Sequence, residues 1–187
     1  MSNSFNNKWK KTEQLFAKHF NCTLDTDLKA QYADIDATNK LTGTTFSIKD
    51  IDDASKKFKC ILLEVKLLDT NINTGEVRRE AKGSFLKCEA EMFAIRLHHK
   101  GNSCWYVTET KELQRILQDN TFDTVRTRRE TENRNRATGR TYNGTICYKV
   151  PVEFLIKNTK RLLLPLKLVE HEDERVIRLL QERGYRD

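Results

Sequence analysis

Apolar and polar residues alternate most regularly between Cys60 and Leu68. Ile61, Leu63, Val65 and Leu67 fall on one side of the pattern, and Leu62, Glu64 and Lys66 on the other. A period of two marks a half-buried strand, because successive side chains point to opposite faces. The same pattern predicts strands over Tyr32–Asp36 and Thr44–Lys49, with Thr42-Gly43 as the hairpin turn between them. It predicts a second pair over Met92–His98 and Cys104–Val107 around Lys100-Gly101-Asn102, and a further strand over Ile146–Phe154. Spacing near 3.6 predicts helices instead: 7–19, with Trp9, Leu15 and Phe16 inward; Thr110–Gln118, with Leu113, Ile116 and Leu117 inward; and a closing helix at 169–184. Gly83–Ala90 reads as a short helix and Asp69–Lys82 as a polar connection. Leu162–Leu166 is apolar but interrupted by Pro165, so it is not a central strand. This order predicts one α/β (α+β) domain over residues 1–187, a single mixed central β-sheet flanked by helices.

The stretch Thr124–Asn143 fits neither period. Arg126, Arg128, Arg129, Arg134, Arg136 and Arg140 stand among Thr, Asn and Gly with almost no apolar residue. The expectation is a basic loop or partly disordered arm. Such a segment would hold a phosphate backbone in a salt-dependent, largely sequence-independent way.

Composition sharpens this picture. Hydrophobic residues make up 37% of the 187, enough for a core if the strands are buried, and 33% are charged. The formal net charge is +7 and the pI about 9.2, which favours a polyanionic partner such as nucleic acid. Nothing in the first thirty residues has the features of a signal peptide, and no apolar run approaches a membrane span. The expectation is a cytoplasmic protein with no membrane partner. Cys22, Cys60, Cys88, Cys104 and Cys147 are dispersed and mostly flanked by apolar residues, the pattern of reduced, buried thiols. His98-His99 has no third ligand at metal spacing.

The chemistry lies in the polar positions of the first strands. Asp34 and Asp36 alternate on one segment, Lys49 ends its hairpin partner, and Glu64 and Lys66 follow on the next strand. Phosphodiester cleavage needs an activated water and neutralised charge at the phosphorus. Carboxylates holding Mg²⁺ or Mn²⁺ supply much of this, because such ions take hard oxygen ligands. A nearby lysine orients the water or counters the developing charge. The same carboxylates on a solvated edge strand would only discourage aggregation.

In this arrangement the chain resembles the PD-(D/E)xK nuclease superfamily. That superfamily carries an acidic residue on one strand and an acidic-x-Lys triplet on the next, after a helix that often bears a glutamate. Glu13, then Asp34 or Asp36, then Ser47-Ile48-Lys49 follow that order, with serine at the acidic position, and Glu64-Val65-Lys66 repeats the full triplet one strand later. Gly83–Ala94 is similar to the glycine-aromatic-lysine segment of small phage-type members. Two registers fit. In one, Asp36 works with Lys49 and Glu64 supplies the ligand missing at Ser47. In the other, Asp36 works with Glu64 and Lys66. The resemblance implies a restriction-endonuclease-like fold and a metal-dependent endonuclease acting on DNA. Asp36 and Glu64, with Asp34, would be metal ligands, and Lys49 or Lys66 the catalytic lysine. Cutting both strands at one place would favour a homodimer. Ser47 equally fits a non-catalytic nucleic-acid-binding or protein-interaction module on a degenerate nuclease fold.

Overall fold

The computed structural model describes residues 3–71, 73–134 and 141–166. In chain order these form α1 (Asn3–His19), β1 (Cys22–Leu24), α2 (Leu28–Tyr32), β2 (Ala37–Asn39), β3 (Thr45–Asp50), α3 (Asp52–Phe58) and β4 (Cys60–Thr70). Then come β5 (Val77–Lys82), α4 (Ser84–Lys87), β6 (Met92–His99), β7 (Asn102–Glu109) and α5 (Thr110–Gln118). Last are β8 (Thr124–Arg134), β9 (Thr141–Pro151), α6 (Val152–Asn158) and β10 (Leu162–Pro165). The helix expected at 169–184 lies outside the described residues, as do Arg136 and Arg140.

The architecture is mixed α/β. Its central sheet has the order β1-β2-β3-β6-β7-β10, and β3 and β6 pair in parallel within it. The β6–β7 hairpin turns at Lys100 and Gly101, both at positive φ. Proline-containing β10 takes the edge, where a missing N–H costs no ladder bond. Phe16 of α1 and Phe20 just after it cover one face, with Phe16 5.1 Å from Phe46 and 5.0 Å from Trp105 between ring centroids. On the opposite face Phe93, Ile95, Leu97 and Tyr106 pack with Leu113 and Leu117 of α5 and Leu155 of α6. The middle strands are therefore buried on both faces. No helix among the described residues is long and apolar enough to cross a membrane.

Two expectations are corrected here. The described residues build two sheets rather than one. Cys60–Leu68 does not lie beside Thr44–Lys49; β6 takes that place, and β4 joins an antiparallel sheet of order β5-β4-β9-β8. The reason is burial. Ile61, Leu63 and Val65 form an apolar row that covers the central sheet face carrying Phe93 and Ile95, which requires β4 to lie in a separate layer. The arginine segment is also not a loop: residues 124–134 are β8, paired antiparallel to β9. Threonines and a valine give it strand propensity, and the ladder with β9 replaces the core contacts its composition lacks. Arg126, Arg128, Arg129 and Arg134 thus sit on an edge strand.

Candidate active site

Asp34 and Asp36 are brought together by a turn, not by strand alternation. The strand expected at Tyr32–Asp36 is absent: Tyr32 ends α2, which Asp27 caps by accepting from the Ala30 N–H at 2.8 Å, and residues 33–36 form a turn and the extended link to β2. After the helix, Asp34 takes a left-handed conformation at φ 56°. That position costs a non-glycine residue about 1 kcal/mol and is best tolerated by Asp or Asn. The strain is offset by what the carboxylate gains. It accepts from Ser47 Oγ at 3.0 Å and lies 3.1 Å from the Lys49 ammonium.

Ser47, the residue standing in the acidic position of the triplet, is fully buried and serves to anchor Asp34. Asp36 lies on the other side of Lys49, 3.7 Å from its ammonium, and accepts from the Ile48 N–H at 2.6 Å. Lys49 is thus clamped between two carboxylates. Burial pulls its pKa down, but Asp34 and Asp36 outweigh this and hold it above the ordinary lysine value. Burial raises Asp36, and the Lys49 charge and Ile48 N–H offset that only in part. Burial likewise pushes the neighbouring Cys88 thiol up to about 11, with Asp34 adding to the effect.

Residues of α1 and of both sheets line a cavity of about 460 Å³, whose walls include Glu13, Asp36, Lys49, Asp50 and Glu64. Four of these are carboxylates against one ammonium. Glu13 arrives from α1, and burial followed by the Asp36 charge raises its pKa. Asp50 is tied back, accepting from Thr12 Oγ1 at 2.6 Å and standing 3.5 Å from Arg96, so it pins α1 to β3 rather than facing a ligand. Glu64 is aimed by α4, whose Ser84 N–H donates to Oε1 at 3.1 Å. The other lining residues from the sheet that carries Glu64 include the neutral Leu62, Thr127, Thr145 and Cys147.

Of the residues singled out from the sequence, Asp36, Lys49 and Glu64 line this cavity. Asp34 does not; it orients Lys49 from behind. Lys66 is also elsewhere, half exposed with its ammonium 2.8 Å from Glu80. The cause is a β-bulge. Glu64 pairs with Cys147 but Lys66 with Ile146, adjacent residues on opposite faces of β9, so Glu64 and Lys66 point to opposite faces as well. Strict alternation had placed them together. Glu13 is the contributor that periodicity alone could not rank, since a glutamate on a helix is usually a solvated residue. Among the described residues, no group of three or more His, Cys, Asp or Glu is arranged to hold a metal ion.

Compared with protein-family models, curated proteins and solved structures, the chain matches none of them.

Proposed function

We propose that this protein is a metal-dependent endonuclease that hydrolyses DNA phosphodiester bonds, with Asp36, Glu64, Lys49 and Glu13 as its working groups. One observation carries the reading: Asp36, Lys49 and Glu64, from three separate segments, line a single cavity. Support comes also from the order in which Glu13, Asp36 and Lys49 follow one another, which agrees with the PD-(D/E)xK resemblance and its restriction-endonuclease-like fold. The net charge of +7 and the arginines of β8 suit a polyanion.

The donor set fits Mg²⁺ or Mn²⁺. All its members are hard carboxylate oxygens, and Mg²⁺ characteristically keeps several waters while taking one or two protein carboxylates plus substrate phosphate, so a closed protein cage is not required. Asp36 and Glu64 would hold the ion. When bound, it supplies positive charge at the phosphoryl oxygens and lowers the pKa of water. Lys49, held above its ordinary pKa, stays protonated at any working pH. It therefore acts as a cation, orienting the attacking water or facing the charge that builds at phosphorus, and not as a base. Glu13, raised by burial and by Asp36, is suited to take the proton.

Incubating supercoiled plasmid with the purified chain in Mg²⁺ or Mn²⁺ tests the reading: nicking or linearisation that EDTA abolishes supports it. The buried, engaged Ser47 favours a second reading, a nucleic-acid-binding module without catalysis. Salt-sensitive DNA retention with no cleavage in either metal would establish that alternative. A pH series adds a further expectation. Because Glu13 and Asp36 must lose protons that burial makes them hold, cleavage should climb with pH above the ordinary carboxylate range and then level off. Glu13→Gln should remove part of that acid limb and lower the plateau by about 10²-fold, the scale of one proton-transfer group. A profile of kcat/KM unchanged by this substitution would remove Glu13 from the mechanism.

A further inference from the structure

The register of the β5-β4-β9-β8 sheet sets one row of side chains across all four strands. Lys82 of β5 pairs with Lys66 of β4, Lys66 with Ile146 of β9, and Ile146 with Arg126 of β8. Directly opposed residues of antiparallel strands share a face, so these four side chains stand on the same side of the sheet. The Lys66 ammonium, 2.8 Å from the carboxylate of Glu80 two residues before Lys82, agrees with that assignment. Ile146 is half-buried, and the three basic residues are exposed. Neighbouring strands lie about 4.8 Å apart, so the row runs about 14 Å from Lys82 to Arg126. It points away from Glu64, Cys147, Thr145 and Thr127, which line the acidic cavity from the other face.

The row is costly to keep. Like charges directly opposite one another destabilise a sheet, and Lys66 and Lys82 are such a pair. Guarding the sheet against aggregation would account for Lys82 and Arg126, which sit on its two edge strands. It does not account for Lys66, on the interior strand β4. Glu80 offsets one of the three positive charges and leaves the row cationic. The Arg126 guanidinium donates to Gly75 O at 3.3 Å, a contact that uses one of its several N–H donors.

We propose that this row is a DNA-binding surface separate from the cavity, one that grips a duplex by its phosphates on the face turned away from Glu64. The lysine pair and Arg126 stand on either side of Ile146, with about 10 Å between β4 and β8. The grooves of B-DNA are about 6 to 12 Å wide, so the lysines and the arginine can meet the two strands that flank one groove. Lysine offers a point charge and arginine a fork of paired, charge-assisted hydrogen bonds, both suited to phosphate oxygens. Such contacts carry no base information, so the surface adds affinity without sequence preference. The assignment rests on DNA as the partner and not on catalysis.

Retention of a short DNA duplex in EDTA, titrated with salt, tests the surface. Each phosphate contact steepens the fall of log affinity with log salt by about 0.9. Lys66→Gln/Lys82→Gln/Arg126→Gln should therefore flatten the slope by about 2 to 3 and weaken binding to all sequences alike. Lys40→Gln/Lys100→Gln/Lys111→Gln removes the same charge from scattered positions and should flatten it by less than about 1. All six side chains are exposed, so neither triple disturbs a core. Equal effects of the two triples would overturn the row, as would a wild type that retains no duplex at low salt. Retention of anionic phospholipid vesicles through the row, with no duplex bound, would overturn DNA as its partner. Plasmid cleavage in Mg²⁺ separates the two readings. Row-dependent retention without cleavage sinks the nuclease and supports the surface, whereas cleavage with row-independent retention sinks the surface alone.

Discussion

Asp36→Asn is expected to lower plasmid cleavage in Mg²⁺ by two to three orders of magnitude, roughly the loss seen when a preorganised polar group is removed from a reacting centre. The amide is nearly isosteric and its oxygen still accepts from the Ile48 N–H, so the segment keeps its course. What disappears is the negative charge a divalent ion would need. The stability of the variant makes the test specific. A carboxyl whose pKa is raised on folding binds its proton more tightly in the folded chain than in the unfolded one. Folding is therefore penalised as pH rises from the ordinary value of 3.8 through the raised one, and the penalty is complete above it. Asn carries no such penalty. The variant should melt at or above the wild-type temperature at neutral pH, and the gap should close as pH falls towards 3.8. An inactive variant that also melts well below wild type would mean that Asp36 is structural. A fully active one would remove it from the site.

Among the described glycines, Gly83→Ala is expected to have the largest effect on stability. A Cβ at Gly83 would stand 2.4 Å from Glu64 O and 2.8 Å from the Val65 carbonyl carbon. Both are backbone atoms of a core strand and cannot rotate away. Gly83 sits there because its N–H donates to Val65 O at 2.9 Å, at the β4 bulge itself. Overpacking of this kind costs about 3 kcal/mol at its upper range. In a chain of this size that corresponds to a drop of roughly 10 °C in Tm. The next residue, Ser84, aims Glu64 into the cavity, so cleavage should fall along with stability. Gly43→Ala is the comparison. Gly43 has φ +76° with open space around it, so alanine there meets strain but no collision, costing about 1 kcal/mol. Calorimetric melts of the two variants should separate them clearly. Equal losses would mean that α4 can move off β4.

The resemblance and the residue pattern placed Asp36, Lys49 and Glu64 together on reasoning that was only partly geometric. Lys49 was legible because β3 follows a turn of hairpin length, and the structure pairs β2 with β3 antiparallel across it. Glu64 reaches the same cavity by another route, from a facing sheet rather than a neighbouring strand. The role of Asp34 was not legible. Alternation gave it the same standing as Asp36, and only the left-handed turn after α2 turns its carboxylate to Ser47 and Lys49. Ser47 looked like a missing ligand, and its buried hydrogen bond to Asp34 shows a supporting part that residue type alone does not reveal. Lys66 looked like a second lysine for the site, and one bulge removed it.

The local pattern by itself determined several of the elements, among them the β6–β7 hairpin, α5 over Thr110–Gln118, α4 after Gly83, and β4 with its apolar row. These depend on period and turn chemistry, which neighbouring residues encode. It also determined that the five cysteines are buried, since their apolar surroundings are local too. Tertiary structure alone decided that β4 would leave the central sheet, that the arginine stretch would become a strand against β9, and that the bulge would divide Glu64 from Lys66. Each of those outcomes is a competition between long-range pairings. The burial of an apolar row and the completion of a backbone ladder settled it, and neither quantity exists until distant segments meet.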